Sequence, residues 1–242
     1  KTTRAYHWGL ALVLAVGLVL VLGVWDRIKP PAARATAGTT TLTGLKTGIP
    51  GFDFTRMGHN GVALPRQDAA WQNTGSEADG TQWDCLRDNV SGLWWEAKTN
   101  APADDAKQMR HVDHTYSWSG TGLLGRATSA QPFGARCTGM PDAAPCTTQA
   151  YVDAINAAGL CGFKDWRLPT VAELKPLTSI NKGGATIDVA QFPNTAPVGY
   201  WTASSYPHRD NYVWYVFFAG AGDAFGDAST ANYAVRVVRT GG

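Results

Sequence analysis

Few residues in this chain have the type and spacing to do chemistry. His111-Val112-Asp113-His114 sets two imidazoles three positions apart around a carboxylate, a minimal metal-ligand grouping. No further His and no paired Cys lies near it in sequence, so a solvated polar loop is expected there and no metal site. Asp84, Asp88, Asn89 and Asp142 offer the oxygens a structural calcium takes, at a spacing that is not the EF-hand pattern. That calcium is the single cofactor the residues leave open. His59 and His208 are isolated, and the chain has no GxSxG elbow, HExxH pair, P-loop or GxGxxG after a strand. The expectation is a protein that is not an enzyme.

Recognition chemistry is concentrated in the tail. Strand-like runs at Tyr200–Ser205, Val213–Phe218 and Asn232–Arg239 enclose Tyr206, His208, Arg209, Asp210, Asn211 and Tyr212, which combine aromatic area with adaptable polar groups. Residues 219–229 follow, Gly- and Ala-rich, with Asp223, Phe225 and Asp227. This stretch has no core pattern of its own and reads as a tolerant surface loop on a rigid scaffold. A long structureless loop in a compact domain is usually functional. The expected ligand-binding set is therefore Tyr206, His208, Arg209, Asp210, Tyr212, Asp223, Phe225 and Asp227, on a surface spanning 205–232. The competing reading is a long Gly-rich loop without function.

The scaffold must hold that surface still. A 44% apolar and 11% aromatic composition over 242 residues is enough for a sizeable core. Trp94, Trp95, Trp166, Trp201 and Trp214 sit in apolar runs and are expected in it. Residues Trp83–Glu96 read as strand, turn, strand, with Asp88-Asn89 and Gly92 as turn chemistry. A helix is predicted over 147–158, capped by Thr147 or Thr148 and stopped by Gly159, with Tyr151, Val152, Ile155 and Ala158 on one face. A second, short helix follows Thr170, where Thr170 and Glu173 form a capping box, and ends near Pro176. Arg167 and Arg236 are expected to pair with carboxylates or carbonyls, Asp165 and Glu173 being the available partners. Short helices among many short strands indicate an α+β domain with antiparallel sheets.

Cys85, Cys137, Cys146 and Cys161 lack the CxxC spacing of zinc or redox sites and read as disulfides of an exported domain. Of three possible connectivities, Cys137–Cys146 and Cys85–Cys161 is favoured: the first closes a short Pro/Gly-rich loop, and the second ties the front of the domain to its middle. Residues 8–25 carry no charged side chain and would span about 27 Å as a helix, the reach of a membrane anchor. The expected organisation is an anchor helix over 1–29, a Pro/Ala/Thr linker over 30–44 and a head over 45–242, in a bacterial envelope with the head exported. A formal charge of +2 and no Lys/Arg run in the body exclude a nucleic-acid binder.

In order along the chain stand Leu45-Lys46-Thr47-Gly48, Asp88-Asn89-Val90-Ser91-Gly92-Leu93-Trp94-Trp95-Glu96, Ala158-Gly159-Leu160-Cys161-Gly162 and Asp165-Trp166-Arg167-Leu168-Pro169-Thr170. Ile187-Asp188, Phe192-Pro193-Asn194, Tyr200-Trp201-Thr202-Ala203-Ser204, Trp214-Tyr215-Val216 and Val235-Arg236-Val237-Val238-Arg239 complete the series. From about Leu45 to Arg239 the chain resembles the Lcl C-terminal domain family, also called DUF1566, of bacterial surface proteins. The resemblance implies a C-type-lectin-like fold and a binding region just before the closing strand, which falls on 205–232 here. No glutamate-proline-asparagine or tryptophan-asparagine-aspartate motif is present, so it does not imply calcium-dependent sugar binding. The implied function is adhesion: an extracellular protein or glycan ligand bound by the head. A pilus-like filament assembled through the N-terminal helix and a receptor diversified by a retroelement are the alternatives.

Overall fold

The computed structural model describes residues 45–46, 52–100, 109–121, 127–129, 137, 140, 144–178, 184–207 and 209–241, all within the unit Thr43–Gly242. The expected membrane segment 8–25, the 30–44 linker and self-assembly through the N-terminal helix lie outside the described residues, as do His208 and Asp142. Among the described residues no helix is long and apolar enough to cross a membrane.

The expected hairpin forms. Strands β3 (Cys85–Asp88) and β4 (Leu93–Glu96) pair antiparallel with Leu86 opposite Trp95 and Cys85 opposite Glu96. Asp88 closes the turn, its carboxylate accepting from the N–H groups of Val90 at 3.1 Å and Ser91 at 3.2 Å. With β1 (Leu45–Lys46), β2 (Asp53–Met57) and β10 (Val238–Thr240) they make an antiparallel sheet in the order β1-β2-β3-β4-β10. The closing strand thus lies beside Trp94 and Trp95. Strands β5 (Ser119–Thr121) and β6 (Ala127–Ser129) pair antiparallel, and a further sheet orders β7 (Gly199–Ser205), β8 (Tyr212–Phe217) and β9 (Ala224–Ala228).

Strand β9 corrects the reading of 219–229 as a loop throughout. Its Gly, Ala and Asp residues have low strand propensity, but pairing with β8, with Phe225 opposite Tyr215 and Asp227 opposite Val213, gives the backbone its hydrogen bonds.

Helix α1 (Thr148–Ala158) starts on Thr147, whose hydroxyl accepts from Ala150 N–H, and stops at Gly159 with φ +69°. Its buried face is Thr148, Tyr151, Ala154 and Ile155; Val152 is half-buried and Ala158 exposed, so the helix is rotated from the expected face. The Tyr151 hydroxyl, drawn to Glu96 and Lys98 in the interior, sets that rotation. Helix α2 (Val171–Leu174) has the expected capping box. It ends near Pro176 as expected, and a 3₁₀ turn over Lys175–Leu177 follows, where proline stands at an early position that needs no N–H.

Each of the two larger sheets gives one face to each of two apolar clusters. One holds Phe54, Trp83, Leu86, Trp95, Tyr200, Val216 and Phe218. The other holds Met57, Trp94, Trp118, Tyr151, Trp166, Trp201, Val213 and Val237. Four of the five expected core tryptophans are buried; Trp214 is half-buried instead, because its ring lies under Tyr206 toward solvent. The disulfides are Cys85–Cys161 and Cys137–Cys146, the favoured connectivity.

Candidate functional site

Alternation along β8 puts Tyr212, Trp214 and Val216 on one face and Val213, Tyr215 and Phe217 on the other, and residues paired across strands share a face. The expected ligand residues are therefore divided. On the first face Tyr206 packs against Trp214 with centroids 4.8 Å apart and covers Gly226, where a Cβ would overlap the Tyr206 ring. The Arg209 guanidinium lies 4.7 Å over the Tyr212 ring and donates to its hydroxyl at 2.9 Å. Asp210 is exposed in the connecting turn.

The opposite face carries Phe225 and Asp227. Phe225 sits 5.9 Å from Tyr215, which stacks on Tyr233 at 4.1 Å, and the Tyr233 hydroxyl donates to Asp227 at 2.7 Å. Burial, then the Asp227 carboxylate, pushes the Tyr233 phenol well up. Phe217, 37% exposed, shares this face with Phe225, 47% exposed. Sequence reasoning missed Phe217, Tyr215 and Tyr233; the signal was the alternate spacing of Val213, Tyr215 and Phe217. Asp223 stands apart at the β8–β9 turn, 3.6 Å from Lys175, which also donates to the Gly222 carbonyl.

The described candidate metal residues are engaged within the protein. Asp84 accepts from Arg110 at 2.5 Å and lies 3.1 Å from His59 Nδ1, and Asn89 donates to Thr55. His111 and His114 have centroids 5.5 Å apart, but His114 is not in a solvated loop: it is buried, within reach of the Met109 carbonyl, and burial lowers its pKa. Among the described residues no group of three or more His, Cys, Asp or Glu could hold a metal ion. Arg167 pairs with Glu173 at 2.7 Å as expected, whereas Asp165 pairs with Arg239 at 2.7 Å and not with Arg236. Buried Arg236 donates instead to the Glu96 carbonyl and to Thr195 Oγ1.

Beneath the sheets lies an ionic network not foreseen from the sequence. The buried Glu96 carboxylate accepts from Lys98 Nζ at 2.9 Å, from the Tyr151 hydroxyl and from Val237 N–H at 3.1 Å. Burial, partly offset by Glu96, lowers the Lys98 pKa to about 8. Above pH 8 the folded chain thus loses this proton while the unfolded chain, with an ordinary lysine, keeps it up to about 10.5. The unfolded state binds more protons in that window, so stability rises with pH from 8 toward 10, by up to about 3 kcal/mol. Beyond pH 10 the trend reverses, because burial holds Tyr116, Tyr151 and Tyr200 protonated in the fold while they ionise in the unfolded chain. Urea midpoints at pH 7, 8, 9 and 10 measure the slope, and a Lys98→Met variant should lack the rise.

The model of the Lcl C-terminal domain family matches residues 84–239. No curated protein and no solved structure matches the chain. The matched span runs from β3 into β10 and includes both disulfides and the whole β7-β8-β9 sheet. Disulfides and an Lcl domain together point to an extracellular or envelope setting. With its hairpin and central signature inside the matched span and its closing strand reached by it, the chain belongs to the Lcl C-terminal domain family.

Proposed function

We propose that this chain is a non-enzymatic adhesion or ligand-binding protein of the cell envelope, with a C-type-lectin-like head that grips an extracellular protein or glycan through its 205–232 region. The observation that carries the reading is the pair of exposed rings, Phe217 and Phe225, beside the stacked Tyr215–Tyr233 pair on one sheet face. Exposed aromatics fixed on paired strands bring large contact area with little rotamer entropy to lose, which is the economy of binding surfaces. Asp227, oriented by Tyr233, adds a polar acceptor at the edge of the patch.

The test is capture of ligands from glycan and protein arrays by the full chain and two variants. Phe217→Ser with Phe225→Ser should weaken capture at least about 30-fold, the scale of lost hot-spot side chains, with thermal stability near that of the parent. Tyr206→Ala with Arg209→Ala and Tyr212→Ala removes the opposite face and should have the smaller effect. Full binding by both variants would end the assignment.

A further inference from the structure

A cleft of about 390 Å³ opens between β5, the first turns of α1, the Arg167–Thr170 segment and β7, and none of the Phe217/Phe225 face residues lines it. Its walls are the Trp118 ring, Val152, Leu168 and Ala203. The space persists because the facing positions are small: Gly120 has no side chain between Trp118 and Gln149, and Ala203 stops at a methyl group. Volume of this size lies at the lower end for small-molecule sites.

The walls are preformed. Trp118 Nε1 donates to the Thr202 carbonyl at 2.9 Å, Thr148 Oγ1 bridges both backbone groups of Ser119, and Thr170 Oγ1 is held by Glu173. With the Thr148 and Thr170 hydroxyls satisfied inside the protein, the cleft presents mainly apolar surface to an occupant and discriminates against one that needs many hydrogen bonds. Beside the Ser119 side chain, Arg167 and Gln149 bring polar groups to the cleft. Arg167 spends three N–H bonds on Glu173 and the Leu168 carbonyl, which leaves Nε–H and one Nη2–H. Gln149 donates to Asp153 through Nε2, and its Oε1 lies over Gly120. Because Glu173 cancels the Arg167 charge at 2.7 Å, the rim offers a donor and an acceptor without a net field.

We infer that this cleft binds a small uncharged aromatic molecule bearing one hydroxyl group, a phenol in the simplest case. The ring lies along Trp118 and Leu168, and the hydroxyl accepts from Arg167 and donates to Gln149 Oε1. A carboxylate would meet no net positive charge here, and an ammonium would meet no free carboxylate.

The probe is p-cresol titrated into the full ¹⁵N-labelled chain. Saturable shifts of the Trp118 indole N–H, the Gly120 amide and the Gln149 side-chain amide are expected, with Kd on the order of 1 mM for so small a ligand. Ala203→Leu fills the space and should weaken binding at least about tenfold. Should that variant fail to fold, Val152→Phe fills the cleft from the helix side. p-Toluate should bind at least about tenfold more weakly than p-cresol. Absence of saturable shifts, unchanged affinity in a folded filled variant, or tighter binding of p-toluate would overturn the inference. Phe217→Ser with Phe225→Ser should leave p-cresol binding intact, so failure of the cleft and failure of the adhesive face are separately visible.

Discussion

Replacing Glu96 with Gln should lower the unfolding free energy by about 3–5 kcal/mol, the range for a buried charge network stripped of one partner. The side chain keeps its shape and one carbonyl oxygen, so the loss reports charge and not volume. Glu96 is fully buried and lies against Lys98, while Arg110 and Arg236 are buried in the same interior. Two carboxylates, Glu96 and Asp84, face three cations there, and Asp84 is already committed to Arg110. Removing the Glu96 charge leaves Lys98 without its anionic partner, facing only the neutral amide oxygen that replaces it and the Tyr151 hydroxyl and ring. A double variant, Glu96→Gln with Lys98→Met, removes the stranded charge as well and should recover most of the loss. Urea unfolding of both variants at pH 7 decides it: a single-variant loss under about 1 kcal/mol, or no recovery in the double variant, contradicts the network.

How much of this was legible in the sequence depends on how far apart the interacting residues lie along the chain. The β3–β4 hairpin announced itself because Asp88 meets its turn partners Val90 and Ser91 within three positions. Thr147, Gly159 and the Thr170–Glu173 box were readable for the same reason, since helix ends are decided by local backbone groups. The pairing of Arg167 with Glu173 spans six positions and is readable; that of Arg239 with Asp165 spans 74, and no local pattern marks Arg239 as the partner. The Glu96 network needs Val237 and Arg236, about 140 positions away, and no local pattern marks it. Strand β9 was missed because its state is imposed by the unpaired side of β8 and not by its own residues. The candidate site shows the same limit. Tyr206, Tyr212 and Phe225 look like one cluster in sequence, but the pleat places Phe225 opposite to the other two.

The Cys85–Cys161 bridge should prove the larger of the two disulfide contributions, and by a margin that thermal unfolding can resolve. It joins β3 to the turn after α1 across a separation of 76 residues, whereas Cys137–Cys146 closes a separation of nine. In the chain-entropy treatment the long loop stabilises by about 4.5 kcal/mol and the short one by about 2.7 kcal/mol. Both sulfurs of the long bridge also lie in the apolar cluster with Met57, Trp94 and Trp166, where Cys85 and Cys161 are fully buried. Alanine is therefore the right replacement, because serine would add buried hydroxyls and confuse the entropic loss with a polar one. Cys85→Ala with Cys161→Ala should lower Tm by roughly 10–15 °C, and Cys137→Ala with Cys146→Ala by roughly half as much. Equal or reversed losses would show that strain or residual structure in the unfolded chain outweighs loop closure. The bridge also sets an order of opening: without it the turn after α1 has no covalent tie to β3, so a reducing medium should loosen α1 before it unfolds the whole domain. Hydrogen exchange with and without reductant would detect that order as early loss of protection in α1, and simultaneous loss throughout would refute it.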